Sequence, residues 1–264
     1  MDPTVQQQVV KVGRTDREIV TDHVVAEAPF ELRIGDTPIA VLMRSPGHDA
    51  DLALGFALTE GIVLRPTEIA TVRQLPGDDQ GDRWLLDLAD GVTIDPEQFR
   101  RNLYTSSSCG VCGKASIDAV RVAAPQLSEG PVLDRDVLFS LPEKMRAHQS
   151  AFTLTGGIHA AAAFTPSGDL VALREDVGRH NAVDKLIGAL AADVWPLSEL
   201  VVLVSGRVSF EMVQKVAVAG LSIVCGVSAA SSLAIELGRE LGVTVVGFLR
   251  GEECNIYTGE HRIV

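Results

Sequence analysis

The 264-residue chain is poor in aromatic side chains, 5% of the total, and no stretch of it stays apolar for long. Its most apolar segments, around 160–164 and 216–230, are interrupted by polar residues or glycines. Neither reaches the ~18 apolar residues of a membrane span, so no membrane partner is expected. A basic surplus is also missing: 23 Lys and Arg stand against 35 Asp and Glu, for a net charge of −12. Such a surface repels phosphate backbones, which argues against a nucleic-acid partner but leaves room for one small anion in a local basic pocket. The opening residues, Met1-Asp2-Pro3-Thr4-Val5-Gln6, contain no basic region leading into an apolar run. No secretory signal is therefore read there, and a cytoplasmic location is expected. Cysteine is scarce, with residues only at 109, 112, 225 and 254. That is too few for a secreted disulfide scaffold of this length; a close pair in a reducing compartment reads as metal-binding or catalytic.

What the chain does have is ample material for a core. Hydrophobic residues make up 46% of it, mostly small ones that suit tightly packed helix and sheet layers. The pattern predicts short strands over 18–44, broken by turns at Pro29 and Gly35-Asp36, then a helix over Asp49–Gly61. Strands follow at Ile69–Leu75 and Trp84–Leu88, with an exposed hairpin tip between them at 76–82. Beyond 150 the character changes. Short apolar strands at 170–173, 200–204, 222–225 and 243–248 alternate with helices at 179–190, 209–219 and 231–241. This alternation predicts βαβ units and a mainly parallel sheet with helices on both faces. Three regions result: a strand-rich N-terminal part with one helix (1–92), a linking region with the cysteine pair (93–150), and an α/β core (151–264). Ligands of such sheets sit beyond the carboxyl ends of the strands, where two sharp turns fall, 205–207 and 249–253.

Four clusters could carry chemistry. The first is Ser108-Cys109-Gly110-Val111-Cys112-Gly113-Lys114, ahead of a helix expected over 115–122. A cysteine before a helix faces unpaired N–H groups and the positive end of the dipole, which together with Lys114 favour thiolate over thiol. Zinc binding, dithiol–disulfide redox chemistry and a sulfur-carrying nucleophile all fit the pair; a structural zinc site would need two further ligands from elsewhere. The second cluster runs from Arg174 to Lys185, dense in charge. Read plainly it is an exposed helix start with an ion-pair network. Yet Gly178 marks a strand-to-helix turn, and Arg179, His180 and Asn181 crowd a helix N-terminus, where anions bind. The third is Thr155-Gly156-Gly157-Ile158-His159-Ala160, in which the glycine pair allows close backbone approach and a lone histidine reads first as a packed one. The fourth is Ser205-Gly206-Arg207-Val208-Ser209-Phe210-Glu211, with an arginine in the turn after a buried strand.

Together these clusters, with Lys215 and Gly247-Phe248-Leu249-Arg250-Gly251, resemble the FdhD family, accessory sulfur carriers needed for formate dehydrogenase maturation. The eleven residues 175–185 are the most specific part of the match. Ala230 departs from the pattern, standing where the family commonly has proline. The resemblance implies a cytidine-deaminase-like, three-layer α/β/α core with a smaller strand-rich N-terminal part. It implies that a cysteine desulfurase hands sulfur to Cys109 as a persulfide, with Cys112 assisting or tuning it. The sulfur then passes to the molybdenum bis-molybdopterin guanine dinucleotide cofactor before insertion into formate dehydrogenase. The stretch Phe248, Leu249, Arg250, Gly251, Glu252 and Glu253 corresponds to the family's cofactor-binding segment, and free GDP is a possible analogue. Arg179, Arg207, Lys215 and Arg250 are the expected phosphate donors, His180 is a further expected cofactor-binding residue, a homodimer is expected, and no resident metal is assigned. The deaminase signature is absent: His180 is followed by Asn181 and Ala182, with no Glu two residues on, so deamination is not expected. A dithiol oxidoreductase and a non-catalytic cofactor chaperone remain alternatives.

Overall fold

The structure, a computed structural model, describes residues 2–76, 82–94 and 124–264. Cys109, Cys112 and the helix expected over 115–122 lie outside the described residues. The chain is mixed α/β. A six-stranded sheet forms its larger part, built from β7 (His159–Phe164), β8 (Leu170–Asp176), β9 (Val201–Val204), β10 (Ile223–Gly226), β11 (Thr244–Arg250) and β12 (Glu253–Thr258). Their order across the sheet is β12-β11-β10-β9-β7-β8. The expectation of a mainly parallel sheet needs correction. Only β9, β10 and β11 run parallel, whereas β7 is antiparallel to both β9 and β8, and β12 is antiparallel to β11. The periodic βαβ pattern of 200–248 produces the parallel centre. The flanking strands return by short connections that only antiparallel pairing permits.

Three helices cover one face of this sheet: α4 (Arg179–Ala191), α5 (Phe210–Val218) and α6 (Ser232–Leu241). Their apolar stripes, such as Val183-Leu186-Ile187 and Met212-Val213-Val216, pack on Val202, Val204, Val224 and Val245. The other face is covered by α2 (Arg135–His148), whose Leu138, Leu141 and Met145 meet Ala160, Phe164, Leu203 and Cys225. The sandwich is thus a three-layer α/β/α arrangement. Helix α2 falls in the region read from the sequence as linking. Its signals were present: Asp134 caps it by accepting from the Asp136 N–H at 2.7 Å, and its apolar positions recur at helical spacing. Pro142 inside the helix masks that pattern. The short α3 (Ser150–Thr155) follows, its first N–H groups at Ala151 and Phe152 held at 2.9 and 2.8 Å by the Glu175 carboxylate.

The N-terminal part contains a second sheet, ordered β4 (Thr37–Arg44), β3 (Ala28–Ile34), β6 (Asp82–Leu88), β5 (Ile69–Gln74). It packs on α1 (Asp49–Thr59) around Phe30, Leu32, Leu52, Phe56 and Leu86. Ahead of it, β1 (Thr4–Val12) and β2 (Arg17–Val25) pair as a separate two-stranded ribbon. Strand β1 was not anticipated, because its glutamine run hides any alternation. Helices α1 and α4 join the two lobes. A side chain at Gly55 would fall 1.8 Å from the Asp184 carbonyl, and one at Gly188 would fall 1.9 Å from the Asp51 carbonyl. The helices therefore cross backbone against backbone. No helix among the described residues is long and apolar enough to cross a membrane.

A candidate anion and cofactor site at the sheet rim

The carboxyl ends of β9 and β10 form one rim of the large sheet. Because β7 is antiparallel to β9, its first residue, His159, arrives at the same rim, paired with Asp176 at the end of β8. Hydrogen bonds tie the rim turns to one another. The Ser205 N–H donates to the Ala160 carbonyl and its hydroxyl accepts from the Ala160 N–H, both at 2.9 Å. The Val227 N–H donates to the Val204 carbonyl at 3.1 Å, and the Phe248 N–H to the Ser228 carbonyl at 2.9 Å. The Arg250 Nε donates to the Val227 carbonyl at 2.7 Å. The turn 205–207 and the stretch from Phe248, separated in sequence, are joined in this way through the turn after β10.

The start of α4 faces the rim. Its N-cap is Gly178, without a side-chain cap and without an acid in the first turn, although the Asp176 carboxylate just before it accepts from the Gly178 N–H at 2.8 Å. Arg179 lies against the turn, and its Nε is buried with no partner among the described residues. His180 is held by the Glu211 carboxylate at 2.7 Å, with the Ser209 hydroxyl 3.5 Å away. Gly206 brings the turn close to its neighbours: a side chain there would meet the His159 ring at 3.5 Å. Burial lowers the pKa of His159, and Arg179, His180 and Arg207 push it further down, outweighing Asp176. The neutral imidazole is therefore favoured, in a cationic setting. Arg207 itself is exposed.

At the far end of the rim, Phe248 is an exposed aromatic residue held at φ 52°, a left-handed conformation that a bulky residue adopts only under constraint. It stands in an irregularity of β11, where the register with β12 shifts between Gly247 and Arg250. Gly251, at φ 55°, turns the chain, and Arg250, Glu252 and Glu253 are exposed. Leu249 does not belong with them. It is fully buried among the apolar residues under the sheet, because alternation along the strand turns it inward.

Lys215 also needs reassignment. Rather than reaching a phosphate, its ammonium is buried 2.9 Å from both Asp184 and Glu60, and it donates to the Thr59 hydroxyl at 2.9 Å. Burial works against its charge, but the two carboxylates raise its pKa above the ordinary lysine value. The segment 175–185 likewise divides. Asp176 is buried; it accepts from Lys185 at 2.7 Å, from the Ser45 and Gly178 N–H groups and from Asn181, while Lys185 also donates to the Ser45 carbonyl. These residues fasten the N-terminal lobe to the core. The ion-pair reading was sound for them, except that the network is buried. Only Arg179 and His180 are left to face the rim.

A cleft of about 520 Å3 lies on the α2 side of the rim, lined in part by Arg146, Gln149, Phe152, Gly156, Gly157 and His159. The glycine pair and His159 were singled out from sequence. Arg146, Gln149 and Phe152 were not, because they sit on, or at the junction of, helices the pattern did not reveal.

The description FdhD/NarQ family matches residues 25–264. A protein named Sulfur carrier protein FdhD from Streptomyces avermitilis is 47% identical over 98% of this chain and 95% of its own length. Relatives of the same name from Nocardia farcinica and Saccharolobus solfataricus are 44% and 40% identical, over 98% and 97% of this chain and 95% and 96% of their own lengths. Among solved structures, a candidate formate dehydrogenase accessory protein from Desulfotalea psychrophila matches all of both chains with a TM-score of 0.79 at 23% identity, which bears on the fold. With matches of this extent, the chain belongs to the FdhD/NarQ family.

Proposed function

We propose that this protein is a sulfur carrier for formate dehydrogenase: it accepts sulfur on Cys109 from a cysteine desulfurase and delivers it to the molybdenum bis-molybdopterin guanine dinucleotide cofactor. The observation that carries the reading is 47% identity, over nearly the full length, to a protein named as a sulfur carrier. The rim supports the cofactor half of it. An acidic protein needs dedicated donors for phosphate, and Arg179, Arg207 and the free end of Arg250, around the start of α4, supply them. Phe248 offers a face for a base, and the carboxylates of Glu252 and Glu253 can accept from the guanine N–H edge. The cofactor enters as a substrate, held while sulfur is transferred, and the protein works in the cytoplasm as a homodimer.

Loading needs no external oxidant. The Cys109 thiolate attacks the outer sulfur of the desulfurase persulfide, a new S–S bond forms, and the donor cysteine leaves as thiolate. The sulfane sulfur keeps its oxidation state throughout.

Calorimetry tests the pocket. GDP is expected to bind with ADP at least about tenfold weaker, since adenine lacks the donors that Glu252 and Glu253 would meet. Arg250→Ala should weaken GDP and leave persulfide loading intact. Equal affinity for GDP and ADP would mean the rim reads phosphate alone.

The His159 titration adds a second test. Its pKa is depressed in the free protein. A bound phosphate offsets the repulsion from Arg179, His180 and Arg207 and raises that pKa. Between the free and bound values the complex holds more proton, so GDP binding should take up protons and tighten as pH falls through that window. Ring-proton NMR of His159 with and without GDP, or calorimetry in buffers of different ionisation heat, measures it; a His159 titration that GDP leaves in place contradicts the rim assignment.

A further inference from the structure

The rim is one end of the large sheet, and the other end carries a groove of its own. The groove has a volume of about 500 Å3 and lies where the chain enters β9 and β10, between the end of α1, the turn 195–199 and the segment 125–130. Leu58, Val63, Trp195 and Val218 give it apolar walls, and Leu64, 71% exposed, stands on its edge. The walls are tied to the core. The Leu127 N–H donates to the Leu241 carbonyl and the Leu197 N–H to the Ala219 carbonyl, both at 2.8 Å. A side chain at Gly220 would fall 2.7 Å from Pro196, so those two loops touch directly. Glu129 and Glu199 are exposed acids of the lining, and no lysine or arginine belongs to it among the described residues.

Chemistry and place narrow the occupant. Most polar side chains of the lining are exposed, so no buried donor or acceptor fixes a small ligand there. The two acids favour a positively charged partner and disfavour a second copy of a chain whose net charge is −12. Segment 125–130 directly follows Ala124, where the described chain resumes after the stretch that contains Cys109. A protein seated in the groove stands where that stretch rejoins the fold. We propose that this groove docks the protein that donates sulfur to Cys109, through a segment presenting an apolar side chain flanked by lysine or arginine. The apolar side chain fills the groove, and the basic ones meet Glu129 and Glu199. A groove of this volume holds an anchor and not a whole interface, which needs roughly 800 Å2 from each partner; buried anchors of this kind carry most of the binding energy. The proposal rests on the sulfur-carrier reading and adds where the donor binds. Donor and cofactor then use opposite ends of one sheet, and their sites do not overlap.

The test compares two sulfur donors on the full-length protein. One is a cysteine desulfurase with cysteine. The other is glutathione persulfide, too small to need docking, whose outer sulfur passes to the Cys109 thiolate while glutathione leaves as thiolate. Leu64→Asp, and the pair Glu129→Lys with Glu199→Lys, change exposed positions, and a thermal melt checks that each variant is folded. With the desulfurase, each should raise the carrier concentration for half-maximal loading about tenfold and leave the maximal rate within about twofold. Salt should weaken loading of the wild type, and the charge-reversed variant should lose that dependence. Glutathione persulfide should load wild type and variants alike. Desulfurase loading unchanged in folded variants would overturn the proposal. So would equal impairment with glutathione persulfide, since the groove would then act on Cys109 itself. A changed oligomeric state in the variants would make the groove a contact between copies, and normal loading with weakened activation of formate dehydrogenase would give it to the acceptor; either result also overturns the proposal. Wild-type protein that loads from neither donor would instead sink the function proposed above, and the docking with it.

Discussion

Incubated with a cysteine desulfurase and cysteine, the protein is expected to gain one sulfur, about 32 Da, on Cys109, and to lose it again on reduction. The other cysteines offer a built-in contrast. Cys225 is fully buried beneath the sheet, and burial pushes its thiol pKa well up. Cys254 is half-buried and shifted up for the same reason. Neither forms a thiolate readily, so neither competes as a nucleophile. Cys109→Ala is expected to lower activation of formate dehydrogenase by on the order of 100-fold or more, because it removes the thiol proposed to accept the sulfur. Cys112→Ala should be milder, since the nucleophile stays. Peptide mass spectrometry locates the sulfur, and a thermal melt checks that the variant is folded. Sulfur found on Cys225 or Cys254, or full activation by Cys109→Ala, would end the carrier mechanism as stated.

The second large effect concerns stability. Lys215→Ala is expected to cost about 3–5 kcal/mol, because it leaves the Asp184 carboxylate buried with, among the described residues, only the Thr59 hydroxyl as a side-chain donor. At roughly 2–4 °C per kcal/mol for a chain of this size, the melting temperature should fall by about 10 °C. The double variant Lys215→Met with Asp184→Asn should recover part of the loss, since it removes the buried Asp184 charge along with that of Lys215 and leaves only the less buried Glu60. The pair also separates two readings of Lys215. If it held phosphate, folded Lys215→Met would lose GDP affinity. Placed as it is between α1, α4 and α5, it should leave that affinity unchanged and lower only the melting temperature.

Much of the fold could be read in the sequence where local periodicity and tertiary burial agree. Strands β9, β10 and β11 and helices α4 to α6 alternate in apolar runs that only a layered sheet explains, and they lie within a residue or two of their expected bounds. The misses have separate physical causes. Helix α2 was hidden by Pro142, and β1 by its glutamines. The directions of β7, β8 and β12 depend on connections whose geometry periodicity does not encode. For the site, sequence placed the turns and the helix start correctly at one rim, because strand ends are a topological property. It could not tell an outward side chain from an inward one. Lys215 and Leu249 were therefore grouped with ligand-facing residues, although one neutralises buried carboxylates and the other fills the core. Arg179 and Lys185 belong to one charged run; their burial and partners separate them.

The crossing of α1 and α4 at Gly55 and Gly188 has a mechanical meaning. Where side chains separate two helices, rotamer changes let them slide or tilt by small steps. Here carbonyl meets main chain, and no rotamer lies between them to change. A crossing this close is expected to leave little play, so that the small sheet and the large one turn together. The rim is mounted on both through α4, the helix that makes the crossing. If the rim holds the cofactor proposed above, the adjustment that admits it is expected to come from the rim turns themselves, at 205–207, 227–230 and 248–253, and not from opening between the lobes.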